Sequence, residues 1–337
     1  MTSAVQQVEG PDAGVPWHYG DPHREQRWLR DGAAVADVSH REVISIAGPD
    51  RLSWMHSLTT ADLAHLAPGG SALALILDPH GHVEHELRIT DDGSRMLVSV
   101  EPGDGASVVA YLESMRFLLR VEVQPEPSLA AVWSALDADL PGQVRRWQQP
   151  AEFQGNGHTP AGEDRGGDAS RYVPHRPDTL PGCEILVAGD RLDEALEAAP
   201  HRAGTWALEA LRVAAAVPRL GFETDHRTLP HEVGWIGPAV HLAKGCYRGQ
   251  ETVARVHNLG RPPRRLALAH LDGSAGRLPA HGEAVEVEGR TVGWVGTAVR
   301  HHELGPIATV VVKRNVDPTA GLLVGGVPAT QEVVVAP

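Results

Sequence analysis

Cysteine is nearly absent from this chain of 337 residues: Cys183 and Cys246 are the two. Two thiols make no disulfide framework, and a reducing compartment is the simpler reading. Aromatics are sparse at 4%, although eight of them are Trp. No apolar run approaches the 18 or so residues that a membrane-spanning helix needs, so no membrane association is expected. The first residues, Met1-Thr2-Ser3-Ala4-Val5, lack a basic patch and an apolar stretch, so no secretory signal is read and a cytoplasmic location is expected. Basic charge is in deficit: the net charge is −13, which argues against non-specific coating of nucleic acid and predicts no stable nucleic-acid partner.

What is abundant is turn chemistry. Thirty-six glycines and 26 prolines predict short strands and many loops. The apolar fraction of 42% fits a globular protein, and the length allows two or three modules. Residues 1–16 read as a mobile polar tail. A short helix is predicted over 22–31, stopped at Gly32. A strand follows at 43–47, then a Gly48-Pro49-Asp50 turn in which Asp50 can cap a helix carrying Leu52, Met55 and Leu58. The apolar run 72–77 predicts a buried strand, paired through Asp78-Pro79-His80-Gly81 with 82–89, and 96–100 is another. Val108, Leu112, Met115 and Leu119 predict an amphipathic helix over 105–119. Residues 150–182 carry so many Gly and Pro that they read as a mobile surface loop. Thr205 is placed as the cap of a helix reaching about Ala215. From 266 onward the pattern is strand and turn only, with Glu288-Gly289 as a hairpin turn; this predicts a separate β-barrel or jelly-roll module.

The stretch that organises the reading is Lys244-Gly245-Cys246-Tyr247-Arg248-Gly249-Gln250-Glu251. Two glycines leave the sulfur uncrowded, and two cations within two residues of it favour a thiolate. The bland alternative is a buried cysteine acting as a small hydrophobe. Cys183 opens an apolar strand and is read as structural. The cations at Lys244, Arg248, Arg255, Arg261, Arg264 and Arg265 read either as a solvated loop or as an anion site for carboxylate, phosphate or an RNA loop. His80, His82 and His85 diverge along a strand, so no metal site is expected there. Asp225, His226, His231 and Glu232 offer an acid–base pair or a polar loop.

The same eight residues resemble the signature of the YgfZ-type folate-binding proteins, relatives of the T-protein (aminomethyltransferase) of the glycine cleavage system. Leu211 to Trp235 and Ala36-Asp37-Val38-Ser39 extend the resemblance. It implies an α+β, T-protein-like three-module fold with a central cavity: a body over 17–260 of two intertwined modules, and a C-terminal barrel over 261–337. It implies tetrahydrofolate or a derivative as ligand. It further implies a role in assembling or repairing iron–sulfur enzymes, with assembly or client proteins as partners and a link to tRNA modification. On this reading Cys246 is the chemical residue, and Lys244, Tyr247, Arg248, Gln250, Glu251, Arg212 and Trp235 surround the ligand. The alternatives are a tetrahydrofolate-dependent aminomethyl- or methyltransferase, with Glu86 as its acid, and a non-catalytic scaffold with an empty cavity. Two departures from the T-protein pattern stand out. The acidic pair of its Gly-turn strand is here His85-Glu86. The Glu that follows Leu-Arg-Leu and holds the pterin is here Ala214, which predicts weak reduced-folate affinity because a methyl group accepts no ring N–H bond. Glu209, about 140° around the helix from that position, is not expected to substitute.

Overall fold

The computed structural model describes residues 3–153 and 174–336. Most of the predicted loop over 150–182, residues 154–173, lies outside the described residues.

One antiparallel sheet runs in the order Ser71–Leu77, Val83–Asp91, Arg95–Val100, Glu42–Ala47, Glu122–Pro125. Ile44, Ile76, Leu87, Ile89 and Val98 bury one face against Trp54, Met55 and Leu58 of the helix Arg51–Leu58 and against Val108 and Leu112 of the helix Gly105–Ser114. Val43, Leu73, Leu75, Leu77 and Leu97 fill a second core on the other face. A strand covered on both sides has no polar face, which is why 72–77 reads as an unbroken apolar run. The second sheet follows the order Gln143–Gln148, Cys183–Ala188, Leu129–Ser134, Ala34–Asp37, His201–Ala203, and its last pairing is parallel. It shares the Leu75 core through Ala36, Ala131, Trp133 and Leu186, and it buries Cys183 with Val132 and Ile185 on its far side.

The chain ends in a closed six-stranded barrel, Arg264–Leu271, Gly305–Lys313, Arg290–His301, Ala284–Val287, Leu322–Val324 and Val327–Val333. Its hairpin turn has Glu288 and Gly289 at φ 49° and 74°, the paired left-handed geometry of a type I′ turn. The helix Thr205–Ala214 joins the parts. Ala207 and Leu211 point into the shared core, while Ala210, Val213 and Ala214 lie against Leu266, Leu268 and Val311 of the barrel.

Four expectations need correction. Residues 3–16 are not all loose: Val5–Gln6 pairs with Pro16–His18, and Asp12 is buried. The helix after Gly105 stops at Ser114, because Phe117 takes a φ of 47°; Phe117 and Leu118 then stand in solvent. Asp50 stands at the N-cap of the helix Arg51–Leu58 as expected, but its carboxylate accepts three hydrogen bonds from Arg120 and none from the helix. The cap of the 205–214 helix is Gly204, where a Cβ would meet the carbonyl oxygen of Trp17 at 2.1 Å. A helix that went unread, Gln250–Leu259, begins inside the Lys244–Glu251 motif.

Candidate functional site

The motif is built to hold a loop still. Lys244 is buried, and its ammonium donates to the carbonyl oxygens of His56, Thr59 (2.5 Å) and Ala61 (3.0 Å), the turn that closes the helix Arg51–Leu58. Burial lowers its pKa to about 8. Tyr247 is buried beneath the same ammonium, 5.2 Å from Nζ to the ring centre, and burial raises its phenol pKa. Gln250 donates back to the Lys244 carbonyl at 3.3 Å. Gly249 sits at φ 81° and starts the Gln250–Leu259 helix. Between these anchors Cys246 is exposed, as is Glu251 in the helix's first turn. The two cations expected to flank the sulfur make their bonds elsewhere: Lys244 with the three carbonyls, Arg248 with Glu84 at 2.9 Å and over the Tyr111 ring at 5.5 Å.

Of three clefts among the described residues, one is lined by Arg248 of the motif. The inner cleft lies among the two sheets and the Thr205–Ala214 helix, and Arg41, Arg88, Glu101, Glu209, Arg212 and Arg219 line it. Its charges interlock. Arg41 pairs with Glu101 and Glu184, Arg88 with Glu184, Arg219 with Glu101 and Glu209, and Arg212 with Glu209 and Glu223. Despite burial, the facing guanidiniums hold the Glu101 and Glu184 carboxyls below the usual range. An outer cleft opens toward the barrel, walled by Trp17, Trp206, Phe222, Arg277 and Arg300. A lateral cleft is lined by Asp78, His82, His85, Tyr111, Asp225 and Arg248.

Leu220 to His226, Asp78 to His85 and Arg248 of the motif meet in the lateral cleft. The individual residues scatter. Arg212 lines the inner cleft, but Glu209, Glu223, Thr297 and the Val217 carbonyl occupy its guanidinium. Trp235 is fully buried in the shared core, and Tyr247 is buried there too, so neither is placed beside a ligand. Lys244 and Gln250 brace the loop from within. Glu86 is buried on the strand Val83–Asp91, with Oε1 3.7 Å from Arg88, and burial pushes its carboxyl pKa up. Its other oxygen finds no hydrogen bond among the described residues. The anion-site reading of Arg264 gives way to an ion pair with Asp225 and Glu232 at 2.7 Å each. Those contacts also remove Asp225 and Glu232 from acid–base use, and His231 is buried beside them with its pKa lowered to about 3.

Ala214 faces the barrel's apolar residues, whereas Glu209 faces both the inner and the outer cleft. The carboxylate that the helix turns toward the cleft is Glu209, held there by Arg212. Sequence reading missed Asp12, His40, Arg41, Glu101 and Glu184. The available signal was charge inside apolar strands: Glu86 and Arg88 alternate with Leu87 and Ile89, which puts two charges on a face that a second sheet covers.

Known proteins carry the same frame. Residues 7–128 match the GCVT N-terminal domain family. An aminomethyltransferase of Chromobacterium violaceum is 28% identical over 65% of this chain and 62% of its own length. An aminomethyltransferase of Nostoc sp. is 26% identical over 88% of this chain and 81% of its own. The crystal structure of the glycine cleavage system aminomethyltransferase T from Bartonella henselae superposes with a TM-score of 0.73, at 19% identity, covering 99% of this chain and 93% of that one. The fold is thus T-protein-like. The domain match and the relatives together support the T-protein superfamily as the class of this chain.

Proposed function

We propose that this chain is a YgfZ-type, reduced-folate-binding protein that supports the assembly or repair of iron–sulfur enzymes, with Cys246 as its working residue. The observation that carries the reading is the loop itself. Lys244, Gly249 and Gln250 are all spent on fixing a turn whose one reactive side chain, Cys246, faces solvent. A structural turn has no need to present a thiol.

The inner cleft suits a ligand with anionic groups. Arg219 would hold a carboxylate in exchange for its partner Asp12, since guanidiniums grip carboxylates bidentately, and the lone pairs that Arg212 leaves on Glu209 would accept ring N–H bonds. A reduced folate supplies one-carbon chemistry when bound; the chain's own contribution is to bind it, orient it and exclude water. Lys244, Arg248, Gln250 and Glu251 act on the thiol loop in this reading.

A second reading, tetrahydrofolate-dependent aminomethyl transfer, is favoured by Glu86. It is a buried carboxyl with a raised pKa and one oxygen that has no hydrogen bond among the described residues, the state a proton donor needs. The names of the relatives point the same way.

Cells lacking the gene should recover iron–sulfur enzyme activity with the wild type and not with Cys246→Ser. Full recovery with Cys246→Ser, together with loss in Glu86→Gln, would transfer the case to aminomethyl transfer. Calorimetry with 5-formyl-tetrahydrofolate should give saturable binding that Arg219→Gln abolishes; no binding at all would remove folate from both readings.

A further inference from the structure

Of residues 3–14, Asp12 has the one buried side chain. It sits in a turn, Gly10-Pro11-Asp12-Ala13-Gly14, closed by a hydrogen bond from the Ala13 N–H to the Gly10 carbonyl (3.2 Å) and bounded by glycines at φ 100° and 91°. A Cβ on Gly14 would meet nothing within 4 Å. The chain is held on both sides of the turn: before it Val5–Gln6 pairs with Pro16–His18, and after it Val15 is buried, Trp17 stacks on Trp206 with ring centres 4.8 Å apart, and Thr205 donates to the Pro16 carbonyl. The turn thus links two paired strands, and within it Asp12 is the residue whose side chain reaches the interior.

That carboxylate is at a particular place. Among the described residues Asp12, Thr205 and Glu209 line both the inner and the outer cleft, so Asp12 stands in the wall between the two. Arg219 donates to both its oxygens, at 2.7 and 3.2 Å, and His40 Nε2 lies 2.9 Å from one of them. This is the bidentate grip by which a guanidinium takes any carboxylate. Removal of Asp12 leaves no stranded cation. Arg219 keeps Glu101 at 2.8 Å and Glu209 at 3.6 Å, and the four arginines of the inner cleft face five glutamates besides Asp12.

We propose that the Gly10–Gly14 turn is a strap in the wall between the two clefts, and that Asp12 occupies the seat of a ligand carboxylate. A carboxylate-bearing molecule arriving along the outer cleft takes Arg219 and His40 from Asp12 and lifts the strap. The inference uses the cleft of the folate reading but is independent of any pterin.

The full-length wild type and Asp12→Asn are titrated by calorimetry with glutarate, p-aminobenzoyl-glutamate and 5-formyl-tetrahydrofolate. A closed strap reduces apparent affinity by the fraction of molecules that are open, so a strap shut nine-tenths of the time predicts about tenfold tighter binding by the variant. Tightening of a pterin-free probe supports the strap even where the folate binds no better than that probe, an outcome that sinks the folate reading alone. Equal folate affinity in wild type and variant, with no probe tightened, keeps the folate reading and overturns the strap. Binding of no probe by either protein also overturns it. Hydrogen exchange on the wild type decides independently of whether Asp12→Asn folds: saturating p-aminobenzoyl-glutamate should speed exchange of amides 7–14, and unchanged or slower exchange rejects the proposal.

Discussion

The backbone of Gly249 rests on that of Gly81. A Cβ on Gly249 would fall 2.6 Å from the Asp78 carbonyl oxygen and 2.9 Å from the Gly81 Cα, and a Cβ on Gly81 would come within 3.0 Å of Thr252. Both residues have φ above 80°. The thiol loop and the Asp78–Gly81 turn therefore dock through backbone, and neither site tolerates a side chain. Gly249→Ala should cost about 1–2 kcal/mol for the left-handed backbone and a further ~1–3 kcal/mol for overpacking. Urea unfolding measures it, and a change under 1 kcal/mol would contradict the close approach.

Lys244 provides the second anchor. Replacement by Met keeps the stem but leaves the carbonyls of His56, Thr59 and Ala61 without their shared donor. Buried acceptors without a partner cost about 1–3 kcal/mol each, so a loss of at least roughly 3 kcal/mol is expected for the three. Lys244→Arg should not rescue, because a planar fork cannot point three donors into one turn. Limited proteolysis should cut the Met variant within 241–249 before other sites.

The barrel and the strands around 43–47, 72–77 and 96–100 were legible because each is a local pattern. Alternation or an unbroken apolar run bounded by glycines is visible within ten residues. The inner cleft was not legible, because its pairs join distant positions. Asp12 meets Arg219 across 207 residues, and Arg88 meets Glu184 across 96. In sequence each is a single charge, indistinguishable from a solvated one. Gly249 was read as uncovering the sulfur; its demand comes from Asp78 and Gly81, far away in sequence. The helix over 105–119 was overextended because Phe117 breaks it at positive φ without a glycine or proline to announce the break.

Acid should destabilise the fold through its buried histidines. Burial lowers the His231 pKa to about 3 and the His301 pKa to about 4. Both unfolded values lie near 6.5, so between the two the unfolded chain binds more protons and stability rises with pH. The contribution is fully present above pH 6.5 and is lost as pH falls toward 3–4. His231, the more deeply buried of the two, contributes at most about 1 kcal/mol per pH unit within that window. Tm measured from pH 7.5 to 4.5 should fall steadily below 6.5, and His231→Gln should flatten the slope. A Tm independent of pH across the window would refute the assignment.

The thiols provide the sharpest test of the site. Cys183 is buried between strands, with its Sγ 3.4 Å from the Ser134 carbonyl oxygen and from Arg146, and burial raises its pKa. A raised pKa and a covered sulfur both slow alkylation, since the thiolate is the reactive form and must be reached. Cys246 is exposed between Gly245 and the buried Tyr247, so reagent meets no steric cover. Limiting iodoacetamide on the native protein should therefore label Cys246 first, and mass spectrometry should find Cys183 adducts only after unfolding. Lys244→Met is the internal control: with the loop loosened, Cys246 stays accessible, and its rate should change by less than the contrast with Cys183. Labelling of Cys183 ahead of Cys246 in the folded protein would show that the motif is a structural turn. The non-catalytic scaffold would then be the better account of the chain.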